Sequence, residues 1–128
     1  HAVTDAVLGA AGLGDIGQHF PDTDPEYEGA DSAELLAAAV KMAADRKLRV
    51  GNVDLTIIAE APKLAPHRGQ MRRRLAEVCK IREDCANVKA KTSEGVGPVG
   101  EGRAISAHAV VTLVPAAREV QRQDDCDE

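Results

Sequence analysis

Four stretches of this chain carry side chains whose types and spacing could do chemistry. His1 and Asp5 stand four residues apart, one turn on a helix, so imidazole and carboxylate share a face and can reach one metal ion. The same spacing fits an exposed helix start in which Asp5 favours the positive end of the dipole and His1 has no task. A second stretch runs through Asp15, Ile16 and Gly17 to Phe20, Pro21, Asp22, Thr23 and Asp24. Its carboxylates can accept hydrogen bonds from the hydroxyls of a ribose or polyol, or hold a hard cation. An acidic surface loop with Asx turns at Asp22 and Asp24 has the same composition. An EF-hand is excluded, because its D-x-D-x-D-G order and closing Glu are missing.

The third stretch, Ala59-Glu60-Ala61-Pro62-Lys63, follows a β-branched run. A strand end is where α/β sheets place ligands. Pro62 stiffens the turn, and Lys63 offers a cation to a phosphate or an acceptor-rich base; an ordinary strand-to-helix connection accounts for it equally well. The fourth, from Lys89 to Gly97, sets Lys91, Thr92, Ser93 and Glu94 before a glycine-rich turn. Hydroxyls and amides beside lysines can hold phosphate oxygens, and Glu94 can bind Mg²⁺ alongside them. It lacks the Walker order G-x-x-x-x-G-K-[ST], and a plain hairpin loop is its other reading.

The elements that must position these residues follow from periodicity. An Ala-rich stretch from His1 to about Leu13 predicts a helix stopped by Gly12 and Gly14, followed by a polar loop from Asp15 to Asp31. Asp31 with Glu34 resembles a capping box opening a helix over 32–46, in which Leu35, Leu36, Ala39, Val40 and Ala43 recur at helical spacing. Val50, Val53, Leu55, Ile57 and Ile58 predict a strand closed by Pro62. A third helix is expected from Pro66 to about Lys80, with Arg72, Arg73 and Arg74 on its wet face. A short strand over 87–91, a glycine-rich loop, and an alternating strand from Ile105 to Leu113 complete a domain over 1–115. Residues 116–128 are polar and read as a frayed tail. This order predicts an α/β fold (α+β, two-layer), with helices on one face of a small, narrow, mixed sheet. Three strands leave the other face to earlier strands or to another subunit.

Composition removes several functions. Of 128 residues, 44% are hydrophobic and 29% charged, with 16 Lys and Arg against 21 Asp and Glu and a net charge of −5. That balance denies nucleic acid a basic footprint, and Phe20 and Tyr27 are too few to stack bases. No apolar run is long enough to span a membrane, no secretory signal opens the chain, and the expected location is the cytoplasm. Cys79, Cys85 and Cys126 lack metal or disulfide spacing and are expected to be reduced thiols.

Taken together, the four stretches resemble one family. The runs His1-Ala2-x-Thr4-Asp5-Ala6, Gly14-Asp15-Ile16-Gly17, Phe20-Pro21-Asp22-Thr23-Asp24, Gly29-Ala30-Asp31-Ser32, Gly51-Asn52-Val53-Asp54 and Ala59-x-Ala61-Pro62-Lys63 are similar to the 2-C-methyl-D-erythritol 2,4-cyclodiphosphate synthases, over 1–113. The resemblance implies a homotrimer with active sites between subunits. Its implied reaction converts 4-diphosphocytidyl-2-C-methyl-D-erythritol 2-phosphate to the cyclic diphosphate and CMP, in non-mevalonate isoprenoid synthesis. Implied cofactors are Zn²⁺ and Mg²⁺ or Mn²⁺.

By the same resemblance, His1 is a zinc ligand and Asp5 the carboxylate that orients its ring. Asp15, Ile16 and Gly17 lie near the ribose, and Phe20 to Asp24 face the methylerythritol, with Asp22 accepting from its hydroxyls. Ala59, Glu60, Ala61, Pro62, Lys63, Leu64 and Ala65 match the cytosine pocket, while Lys91, Thr92, Ser93 and Glu94 match the phosphate loop. In that loop Thr92 hydrogen-bonds the transition state and Glu94 binds the second metal. The family's Asp-x-His zinc pair, which precedes the position of His1, is absent, so the chain reads as N-terminally truncated. Pro98-Val99-Gly100-Glu101-Gly102 stands where the family has a Phe and Gly-Arg-Gly-Glu-Gly. The resemblance therefore does not extend to isoprenoid-diphosphate binding in the trimer channel. Two further expectations are a fusion or association with a cytidylyltransferase and, as the alternative function, a cytidine-nucleotide-binding scaffold without catalysis.

Overall fold

The apolar spacing at the start of the chain becomes helix α1 (Ala2–Ala10) in a computed structural model that describes residues 1–21, 23–27 and 31–116. Val3, Thr4, Val7 and Leu8 are buried along one stripe. The helix closes before Leu13 because Gly12, at φ 71°, turns the backbone into the left-handed region. The expected loop after it holds a short helix, α2 (Ile16–His19), and a 3₁₀ turn at Pro25–Tyr27. A reciprocal cap makes α2: Asp15 Oδ1 accepts the Gln18 N–H and Gln18 Oε1 accepts the Asp15 N–H, both at 3.0 Å. Asp24 forms the expected Asx turn, its Oδ1 accepting from the Glu26 N–H at 3.0 Å. Asp22 lies outside the described residues.

Helix α3 (Ser32–Asp45) is capped by Asp31, whose side chain accepts from the Ala33 N–H, and it buries Leu36, Ala39, Val40 and Ala43. Strand β1 (Leu48–Ile58) then leads through a 3₁₀ turn at Ala65–His67 into α4 (Arg68–Cys79). Lys80, at φ 62°, ends α4 in a Schellman arrangement: Lys80 N–H bonds Glu77 C=O at 3.2 Å and Ile81 N–H bonds Ala76 C=O at 3.0 Å. A 3₁₀ turn at Glu83–Cys85 feeds β2 (Ala86–Lys91). The glycine-rich loop contains a further short helix, α5 (Gly97–Gly100), before β3 (Ser106–Pro115). Ile105 lies ahead of that strand and is exposed. Ala116 still donates to the Lys47 carbonyl at 2.8 Å, whereas the rest of the expected tail, 117–128, lies outside the described residues.

The sheet order is β2-β1-β3, with β1 parallel to β2 and antiparallel to β3, so the small sheet is mixed as well as narrow. Gly51 sits at the register shift opposite Thr112, where a Cβ would come within 3.3 Å of the Thr112 carbonyl. Helices α1, α3 and α4 cover one face, packing Val7, Leu8, Ala39 and Ala43 onto Val50, Val53 and Val88. Each such buried Val or Leu contributes about 1.5–3 kcal/mol. Arg72 departs from the expected wet face: half-buried, its Nε donates to the Glu83 and Ala86 carbonyls, both at 2.8 Å, and ties α4 to the start of β2. Cys79 is a buried free thiol. Cys85 corrects the expectation of three reduced thiols, being disulfide-bonded, and Cys126 lies outside the described residues.

The second face of the sheet carries Asp54, Thr56, Asn87, Lys89, His108 and Val110. Val110 is 68% exposed there. Lys89 Nζ lies 2.8 Å from Asp54 Oδ2, and Asn87 Nδ2 donates to Oδ1 at 3.2 Å. Those two hydrogen bonds, the Lys89 one first, hold the Asp54 carboxyl below its usual 3.8. Among the described residues no helix is long and apolar enough to cross a membrane.

Candidate active site

Parallel strands that run side by side also end side by side, and the third and fourth stretches meet there. Ile58 pairs with Lys91 in the register, and the Ala59 N–H still donates to the Lys91 carbonyl at 3.0 Å. Beyond that bond the two chains diverge around a cavity of about 230 Å³. Ala59, Glu60, Lys63, Leu64 and Ala65 line one side, and Ala90, Lys91 and Thr92 the other. Small apolar side chains with two ammonium groups and a hydroxyl suit a flat base bearing phosphates. Ala61 and Pro62, joined by a cis peptide bond, lie outside the lining and make the exposed turn between Glu60 and Lys63. Ala90 was not singled out in the sequence; its position before Lys91 at the strand end was the signal available.

The phosphate-loop residues form a turn held from several sides. Ser93 C=O accepts the Val96 N–H at 3.1 Å, and Glu94 (φ 55°) and Gly95 (φ 78°) between them have the φ signs of a type I′ turn. For Glu94 that conformation costs about 1–2 kcal/mol. Ser93 Oγ donates to the Val96 carbonyl at 2.8 Å, and Glu60 Oε2 accepts the Ser93 N–H at 2.7 Å. Thr92 Oγ1 accepts the Glu94 N–H at 3.3 Å, which leaves the hydroxyl proton of Thr92 to be donated. Glu94 itself is exposed. Beneath the turn, Gly100 passes so close to Gly95 that a Cβ would lie 2.2 Å from the Gly95 carbonyl carbon.

The first two stretches assemble separately. Asp5 Oδ1 accepts the Ile16 N–H at 2.9 Å, so Asp5 and Asp15 together cap the first turn of α2. His19 Nε2 bonds the Leu13 carbonyl and closes the same unit. Gly17 and Thr23 are exposed, Pro21 is half-buried, and Phe20 packs partly against the core. The contact given to Asp5 is thus with the α2 backbone, and the His1 ring meets Ser32 instead, with Nε2 3.4 Å from its Oγ. His1 and Ser32 stand at a mostly apolar cavity of about 400 Å³ between α1, α3 and α4. No hydrogen bond, ion pair or cavity shown among the described residues joins this group to the Lys63–Thr92 group.

A tightly held zinc ion takes three or four protein ligands. Among the described residues no three His, Cys, Asp or Glu side chains converge. His1 and Glu94 each supply one donor of the right kind, but the set present does not fit a closed metal site.

Fold and site define an α/β subunit with a base-sized, lysine-bearing cavity at the ends of two parallel strands. The chain belongs to the YgbB family, whose model matches residues 1–114. A 2-C-methyl-D-erythritol 2,4-cyclodiphosphate synthase from Idiomarina loihiensis is 57% identical over 113 residues, 88% of this chain and 71% of the relative. The bifunctional IspDF of Campylobacter jejuni superposes with a TM-score of 0.84 at 38% identity, over 88% of this chain and 31% of that longer one. Plasmodium falciparum IspF, solved as a CDP complex, has a TM-score of 0.80 at 34% identity, over 91% of this chain and 70% of its own.

Proposed function

We propose that this chain converts 4-diphosphocytidyl-2-C-methyl-D-erythritol 2-phosphate to 2-C-methyl-D-erythritol 2,4-cyclodiphosphate and CMP, as a phosphorus–oxygen lyase of isoprenoid biosynthesis. The observation that carries the reading is the cavity between Ala59–Ala65 and Ala90–Thr92, with cations at Lys63 and Lys91. Cytosine sits among Ala59, Leu64 and Ala65, with Lys63 at its rim. An oxygen of the 2-phosphate attacks the β-phosphorus, the bond from that phosphorus to the bridging oxygen breaks, and CMP leaves with that oxygen. The protein's task in such a transfer is to align the reactants and offset charge. Lys91 meets the diphosphate, and the Thr92 hydroxyl donates a hydrogen bond, keeping its proton, to the oxygen that gains charge.

Asp5 and Asp15 at α2, and His1 at Ser32, stand apart from the Lys63–Thr92 cavity, which supports a homotrimer in which each site combines two neighbouring subunits, and exposed Val110 on the uncovered sheet face supports self-association. Zn²⁺ at His1 and Mg²⁺ or Mn²⁺ at Glu94 belong to the reading as charge-neutralising ions; no step is derived through either. A cytoplasmic location belongs to the same reading, and a charged substrate that cannot cross a lipid bilayer requires that enzyme and substrate share one compartment. Likeness to IspDF supports association with a cytidylyltransferase.

The test is CMP release from the authentic substrate by this chain with Zn²⁺ and Mg²⁺ supplied. CMP and cyclic product should appear in equal amounts, and Lys63→Ala should weaken substrate binding. Folded protein that binds CDP yet releases no CMP would leave the scaffold reading in its place.

A further inference from the structure

We propose that Glu60 is a positioning residue that sets Thr92 and Glu94 in place from the opposite wall of the cavity. The proposal rests on the cyclisation reading above and adds to it a residue that acts through another. Glu60 lies two residues past the end of β1, on the nucleotide side of the cavity, yet its Oε2 accepts the Ser93 N–H at 2.7 Å, 33 residues away in sequence. Ser93 is the pivot of the strained turn. Its carbonyl holds the Val96 N–H at 3.1 Å, and its hydroxyl donates to the Val96 carbonyl at 2.8 Å. The residues on either side of it are Thr92 and Glu94.

A left-handed glutamate persists only where its surroundings fix it. A hydrogen bond to an ionised carboxylate is about twice as strong as a neutral one, and this one arrives from a different loop. It also occupies the Ser93 N–H, so phosphate contacts on this side fall to the Lys91 ammonium and the Thr92 hydroxyl. Base recognition and turnover then depend on Glu60 unequally. Ala59, Lys63 and Leu64 make the base pocket without that bond, whereas the placement of Thr92 and Glu94 needs it.

The experiment compares the full chain with Glu60→Ala and Glu60→Gln, since glutamine keeps an acceptor oxygen for the Ser93 N–H. Glu60→Ala should lower kcat for CMP release about 30-fold, in keeping with a sub-ångström misplacement of reacting groups. Because Glu60 also lines the cavity, CMP affinity is compared in Glu60→Gln, which should hold the calorimetric Kd and return kcat to within about threefold of the parent. A second readout needs no turnover: hydrogen exchange at the Ser93 amide should be about tenfold faster or more in Glu60→Ala, and slow in the parent and Glu60→Gln. A glutamine variant that fails to rescue kcat, or unchanged Ser93 exchange in Glu60→Ala, would overturn the proposal. A parent chain that releases no CMP would sink the cyclisation reading, and the exchange data alone would then decide the role of Glu60.

Discussion

At the scale of single residues, Gly100 is a position where backbone fills the space a side chain would need. A Cβ there would stand 2.2 Å from the Gly95 backbone, and neither partner is the end of a flexible side chain. Gly100→Ala must therefore move the turn that carries Glu94. The expected outcome is a kcat reduced about tenfold to a hundredfold with CMP affinity nearly kept, read by steady-state kinetics and calorimetry. Cys79 gives a prediction of another kind. Burial pushes its thiol from 9.0 up to about 12, so the folded state keeps a proton that the unfolded chain gives up above about pH 9. Stability should fall as pH rises from about 9 toward 12, more steeply than in Cys79→Ala, as urea midpoints at stepped pH would show. Side-chain destinations were the least legible part of the sequence. Asp5 and His1 share a helical face, but which N–H Asp5 would reach depended on how Gly12 and Gly14 fold α2 back along α1. That the stretches at Ala59 and Lys91 face one cavity was not legible from the residues, because it depends on β1 and β2 being parallel neighbours; their roles came from the family resemblance.

Among the elements, α4 shows how a run of like charges divides. Arg72, Arg73 and Arg74 advance about 100° each around the helix, so the three spread over about 200° and the outermost reach the edges of the packed stripe. Arg72 turns inward and serves the Glu83 and Ala86 carbonyls. Arg72→Met keeps much of the stem and leaves both acceptors without that donor. A loss of about 1–3 kcal/mol is expected, measured from urea unfolding, while Arg73→Met should change little. The long helices and all three strands could be read from periodicity, because each repeats its pattern several times. Helices α2 and α5 span four residues each, too short for any period, and depend on a side-chain cap and on glycine. The Asp15–Gln18 cap was present in the sequence as a legible pair three residues apart.

For the whole molecule, the division of the site into two unjoined groups predicts complementation. Chains carrying His1→Ala and chains carrying Thr92→Ala should each be inactive. Unfolded together and refolded as mixed oligomers, they should recover about a quarter of the parent activity, because random association restores that share of two-chain sites. No recovery from well-mixed oligomers would place both groups in one chain's site. The α/β layering was legible from element order, whereas what covers the sheet face around Val110 was not, since element order says nothing of that face. The sheet order has a consequence for synthesis. Strand β1 lies at the centre, and both of its partners come later in the chain. As the polypeptide leaves the ribosome, β1 emerges with two open edges and waits for residues 86–91 and then 106–115. Native pairing is complete only when nearly all of the domain has been translated. Until then both edges of β1 are open to the same strand of another nascent chain, the kind of exposed edge that chaperones shield.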